Sequence, residues 1–277
     1  VASKTLIAAA LTCTLAACQT NSVSGRKQLI LVSEEQAQQS SSQAYAQTLT
    51  DARGKGKLNA DTALTARVKR ITDRLIVEAG TMYAPSRDWQ WSVAVIDETT
   101  LNAWCMPGGK MAIYSGIIQK LTLSDDEIAE IMGHEISHAL LGHGRERMSR
   151  ALAMQGSLQL GSILSGHDLS VLSPVADVAL TLPNSREAES EADRYGIELA
   201  ARAGYDPHAA ISLWQKMSQA SAGSQPPQFL STHPAPTNRL QALNALLPTM
   251  MPLYERARAI TPTVKAGLIY VDKCTGI

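Results

Sequence analysis

The sequence predicts an α+β fold that is mainly helical, with a small β-sheet laid just ahead of one apolar helix. Three observations carry this. Apolar residues recur at helical spacing in several segments, one stretch around Trp89 switches to a period of two, and Gly133-His134-Glu135-Ile136-Ser137-His138 lies in a helix with its own start signal. With 277 residues and 45% apolar content there is material for one sizeable core. Formal net charge is zero, and no concentrated basic face predicts nucleic-acid binding.

Residues 1–17 read as a leader rather than part of the fold. Lys4 is a minimal positive start, Thr5 to Thr14 are a short apolar run, and Leu15-Ala16-Ala17-Cys18 closes it as a lipobox. The run falls short of the roughly 20 residues a membrane span needs. The pattern resembles bacterial lipoprotein signals, which makes Cys18 the lipidation site; a plain cleaved signal with an incidental cysteine is the alternative. Gln19 stands where an aspartate would favour inner-membrane retention, so the expected location is the periplasmic face of the outer membrane, lipid-anchored. Residues 18–32 then form a tether.

Ser33-Glu34-Glu35-Gln36 is a capping box opening a helix to about Thr48. Leu64, Val68, Ile71 and Leu75 mark a second helix from about Asp61 to Ala79. Trp89, Trp91, Val93 and Val95 alternate with other residues and read as a strand. Two shorter strands, Asn102 to Cys105 and Lys110 to Tyr114, are joined by Pro107-Gly108-Gly109. Ser124-Asp125-Asp126-Glu127 is another capping box; Ile128, Ile131 and Met132 make the next helix apolar, and Gly142 stops it. Ala151 to Leu182 is rich in small residues but too polar to span a membrane; its first half reads as packed helix and 165–183 as a cover over a cleft. Helices follow at Pro207 to Gln219 and Pro236 to Leu247, and 251–277 is a tail packed on the domain, with a strand at Lys265 to Asp272.

The H-E-x-x-H segment carries the chemistry. Residues four apart on a helix share a face, so His134 and His138 suit two corners of a zinc tetrahedron. Glu135 beside them is placed to take a proton from a metal-bound water. In Ser185-Arg186-Glu187-Ala188-Glu189-Ser190-Glu191-Ala192-Asp193, Glu189 and Asp193 also share a face. Glu189 suits a third ligand and Asp193 a group that orients a ligand histidine; Glu187 and Glu191 read as surface or capping residues. Chemistry alone does not settle the choice among these acids.

Together, G-H-E-I-S-H-A-L-L-G-H and S-R-E-A-E-S-E-A-D-R-Y-G resemble the HtpX-like and CAAX-prenyl-protease-like zinc metallopeptidases (peptidase family M48, gluzincin type), nearest the family's soluble periplasmic lipoproteins. The resemblance runs from about Ser33 to Leu247 and includes Asn102 to Gly109 and Ser231-Thr232-His233-Pro234. The integral-membrane relatives carry several spanning helices, which this sequence does not offer. The resemblance implies a zincin-like domain over 33–250, with one Zn²⁺ per chain on His134, His138 and Glu189 and with Glu135 as general base. It makes Asn102, Ala103 and Trp104 the edge strand that holds substrate. His233 is then either an oxyanion donor or a reversible extra ligand that silences the site, with a plain turn histidine as the alternative. His143 reads as structural, next to the ligand helix. The implied function is a zinc endopeptidase acting on misfolded or unassembled envelope proteins; a non-proteolytic assembly factor is the rival. Cys105 and Cys274 either pair or remain separate thiols.

Overall fold

In the computed structural model, residues 18–155, 181–221, 227–234 and 238–264 are described. The leader 1–17, positions 165–180 of the expected cover, Cys274 and the strand expected at 265–272 lie outside them.

The chain enters as a hairpin, β1 (Cys18–Thr20) against β2 (Lys27–Leu29). Residues 18–32 are therefore not a free tether, and that expectation is corrected. Gln28 is only 4% exposed, and Asn21 and Gln28 both donate side-chain N–H bonds to the carbonyl of Leu141. That carbonyl is left open where a later helix ends, and the hairpin satisfies it. Ile30 and Val32 are buried, and the amides of Leu31 and Val32 donate to Ser149 Oγ.

Helix α1 (Glu34–Gly54) carries the Ser33/Gln36 capping box. It continues past Thr48 because Ala52 is also buried. Helix α2 (Thr62–Met82) is capped by Asp61 Oδ1 and buries Leu64, Val68, Ile71 and Leu75, as the spacing predicts. A 3₁₀ turn (Ala84–Asp88) takes up the approach to the sheet, so the strand starts later than the alternation suggests. The Trp91 amide donates to Trp89 O rather than to the sheet, and its indole N–H donates to Ser86 O.

The sheet consists of β3 (Ser92–Ile96), β4 (Ala103–Met106) and β5 (Lys110–Tyr114) in the order β3-β5-β4. β3 is parallel and β4 antiparallel to β5. Gly108 follows Pro107 at φ +78°, and the amide of Gly109 donates to Met106 O, which closes the β4–β5 turn. The two faces split by period two. Val95, Ala103, Cys105, Met111 and Ile113 join the main helical core, while Ala94, Ile96, Trp104, Met106 and Ala112 pack with Tyr45 and Met148. The outer side of β3 is covered, because Asn59 bonds both N–H and C=O of Val95. β4 is the other edge and packs beside the next long helix.

After the short α3 (Ser115–Lys120) comes α4 (Asp125–Leu140), with the complete Ser124/Glu127 capping box and Gly142 at φ +66° just past its end. Then follow α5 (His143–Gln155), α6 (Arg186–Arg202) capped by Ser185, α7 (His208–Ser221), α8 (Gln228–Thr232) and α9 (Arg239–Val264). α9 corrects the expectation of a helix ending at Leu247 with a tail from 251. It runs through Pro248 and Pro252, both of which face solvent. Leu243 and Met250 are buried, and Leu246, Leu247, Leu253 and Tyr254 lean on the core. That packing outweighs the backbone bonds the prolines delete. Among the described residues no helix is long and apolar enough to cross a membrane.

Candidate metal centre

The centre forms where α4 and α6 cross. A Cβ added at Gly133 would sit 2.9 Å from Gly196 O, and one at Gly196 would sit 2.9 Å from His134 N and Cα. Two glycines thus let the backbones touch, which brings the acids of α6 within reach of the histidines of α4.

His134 Nε2 and His138 Nε2 are 3.0 Å apart. Glu189 lies 3.5 Å from the first through Oε2 and 3.3 Å from the second through Oε1. His233, at the end of α8, adds Nδ1 at 3.3 Å from His134 Nε2 and 3.1 Å from Glu189 Oε1. All four side chains are buried, and their donor atoms lie within 4.8 Å of one another. Ligand atoms around a tetrahedral zinc at ordinary bond lengths stand about 3.3 Å apart. Both the spacing and the nitrogen-plus-carboxylate chemistry fit a divalent metal of the zinc type.

Outer partners fix the ring orientations. His134 Nδ1 lies 3.1 Å from Asp193 Oδ1. Asp193 and Glu189 are in turn gripped by Arg239, which donates to Asp193 through Nε and Nη2 and to Glu189 through Nη2 at 2.7–2.8 Å. The guanidinium of Arg239 stacks 3.5 Å above the Trp214 ring. His138 Nδ1 lies 2.8 Å from His143 Nδ1, His143 Nε2 lies 2.9 Å from Glu191, and Arg26 of the entry hairpin donates to both Glu191 and Glu146. His143 is structural, as the sequence suggests. Glu191 is not a solvated surface acid: it anchors the second ligand histidine through His143. Asn184 completes the shell, donating from Nδ2 to Glu189 Oε1 at 2.7 Å.

Charge follows this geometry. Burial opposes a proton on His134, but the bonds and charges of Asp193 and Glu189 outweigh it and raise its pKa to about 10. Burial holds His138 well below the ordinary imidazole value, which keeps it neutral. Burial resists the ionised form of Glu189, yet His233, His134 and His138 hold it far below the carboxylate range. Burial also raises Glu191, and His143, Ser24 and Arg26 more than offset that, to about 2. Glu135 differs: burial raises it, and the positive neighbours only temper the rise. A carboxyl poised upward is suited to accepting and returning a proton. Its Oε1 lies 3.3 Å from His233 Nε2.

The structure thus gathers His134, Glu135, His138, Glu189, Asp193 and His233, with Asn102, Ala103 and Trp104 lining the cavity beside Glu135. Cys18 stands apart and exposed. Cys105 is a buried free thiol whose pKa burial pushes well up, so it is chemically quiet. Sequence reading missed Arg239, Asn184 and Arg26. Their signal was faint: Arg239 is the first basic residue after the His233-Pro234 pair, and Asn184 directly precedes the Ser185 cap.

A two-histidine helix, a carboxylate from a crossing helix and an edge strand alongside define the metallopeptidase class. The chain belongs to peptidase family M48, whose model matches residues 62–247. It is 33% identical over 177 residues to the mitochondrial metalloendopeptidase OMA1 of Saccharomyces cerevisiae, covering 61% of this chain and 50% of that one. The mitochondrial metalloendopeptidase OMA1 of Homo sapiens matches at 30% over 246 residues, 84% and 46% of the two chains. The beta-barrel assembly-enhancing protease of Escherichia coli matches at 32% over 203 residues, 68% and 40%. The chain spans about half the length of the curated relatives it matches, or less.

Proposed function

We propose that this chain is a zinc-dependent endopeptidase, hydrolysing peptide bonds of misfolded or unassembled envelope proteins. We place it in the periplasm, held to the outer membrane by lipid on Cys18. The carrying observation is the buried donor cluster with the buried Glu135 carboxyl directly beside it, its Oε1 3.3 Å from His233 Nε2. A divalent cation bound there supplies Lewis acidity and makes water a stronger nucleophile near neutral pH.

His134, His138 and Glu189 would hold the ion, with rings and carboxylate fixed by Asp193, His143, Asn184 and Arg239. Glu135 takes a proton from the attacking water and returns it to the leaving amine. Substrate backbone adds to the open side of β4, which favours extended, unfolded chains over any one sequence. The Escherichia coli relative's name ties that protein to β-barrel assembly and supports the envelope reading; the OMA1 relatives are mitochondrial by name, so location rests on the Cys18 lipobox.

The test is Glu135→Gln. It should retain stoichiometric zinc by elemental analysis and lose cleavage of casein, as the native protein should with chelator; persistent cleavage by the variant defeats the mechanism. The second reading, a non-proteolytic assembly factor with a structural or silenced metal, has one observation in its favour. His233 Nδ1 stands among the candidate donor atoms, where a fourth protein ligand would take the position a catalytic water needs. His233→Ala separates the roles: raised activity marks a silencing ligand, and lost activity with zinc retained marks an oxyanion donor.

A further inference from the structure

Beside Glu135 and under β4 lies a cavity of ≈ 170 Å³ lined in part by Asn102, Ala103, Trp104, Arg147 and His233. The mechanism above makes no use of Arg147. It stands on α5, is 9% exposed, and donates through Nη1 to Asn184 Oδ1, while its Nε has no partner. Among the described residues it forms no ion pair. Arg239 differs, since that buried arginine is matched by both Glu189 and Asp193. A guanidinium kept this deep with no carboxylate paired to it among the described residues is costly unless something charged arrives to meet it. Glu135, which lines the same cavity, faces His233 instead. With a divalent cation in place, Glu135 and Glu189 offset its charge, and Arg147 leaves the cleft positive.

We propose that Arg147 anchors a subsite for a carboxylate carried by the peptide substrate, either an Asp or Glu side chain near the scissile bond or a free C-terminus. The inference rests on the peptidase reading. A chain added to β4 directs alternate side chains toward this cavity, and a guanidinium binds a carboxylate through two parallel N–H bonds. The competing role, in which Arg147 only steadies Asn184 beneath Glu189, would change metal retention and leave substrate choice untouched.

The test uses the zinc-loaded full chain and quenched-fluorescence peptides that differ only by Glu against Gln at each position flanking the cut. A second pair compares a free C-terminal acid with its amide. One acidic position, or the free acid, should show kcat/KM about tenfold or more above its neutral twin, carried by KM, as expected for a charge-assisted hydrogen bond. Which pair shows it identifies the source of the carboxylate. The preference should vanish in Arg147→Gln and be partly kept in Arg147→Lys, which retains charge but not the two-pronged geometry. Equal cleavage of every pair by the native protein overturns the subsite and leaves the peptidase standing. A ratio unchanged in Arg147→Lys also overturns it, whether or not Arg147→Gln folds. Cleavage of no peptide and no casein overturns both readings.

Discussion

Arg239 is the residue on which the acidic half of the site turns. It neutralises Asp193 and one oxygen of Glu189, and Trp214 covers its open face. Arg239→Met should lower zinc affinity about 10- to 100-fold, the usual effect of losing a group behind the ligands; competition against a chromogenic chelator would read it, and unchanged affinity would show that Asp193 orients His134 unaided. Glu127 offers a pH prediction. Burial raises its pKa, but Lys216, the Ser124 amide and Ser212 outweigh this and leave it below the ordinary value. A carboxylate depressed on folding stabilises fully above its unfolded pKa, about 4.3, and loses that contribution as pH falls through the lower folded value. Glu127→Gln should therefore lower the thermal midpoint at pH 7 and narrow the gap to the native protein as acid is added. A gap that is constant from pH 7 down to pH 3 would rule this out.

Elements meet at this site through contacts that local sequence does not announce. The α4–α6 crossing depends on Gly133 and Gly196, where an added methyl meets backbone. Gly196→Ala gains helix propensity, about 1 kcal/mol, yet should lose about 1–3 kcal/mol net through overpacking and shed zinc as the helices part. Urea unfolding and metal content would check both, and a more stable, fully loaded variant would show that the crossing has slack. The entry hairpin reaches the site too, through Arg26, Glu191 and His143 to His138. The starts of α1 and α4 were legible from their capping boxes at Ser33 and Ser124, and α2 begins beside Asp61 as its spacing predicts. Helix ends were less so: α9 runs on through Pro248 and Pro252 because tertiary burial of Met250 and its neighbours outweighs the local cost.

Across the whole molecule, a bound metal would be linked to stability, because the buried donor cluster exists only when α4, α6 and the His233 segment are assembled. Zinc at a thousand times its Kd should add about 4 kcal/mol of stability, raising the melting temperature, and chelator should reverse it; an unmoved melting curve would argue against a folded-state site. His134, Glu135 and His138 were readable because helical spacing of four is itself a geometry, and the capping box fixed where that helix begins. Glu189 and Asp193 were readable as a pair on one face, though their neighbour Glu191 was misjudged, since helix periodicity does not say which face meets which partner. The meeting of His233 with His134, His138 and Glu189, and the placing of Arg239, Asn184, Arg26 and Arg147 around them, came only with the tertiary structure. Their reach depends on how distant segments cross, and that is set by long-range packing which no local pattern encodes.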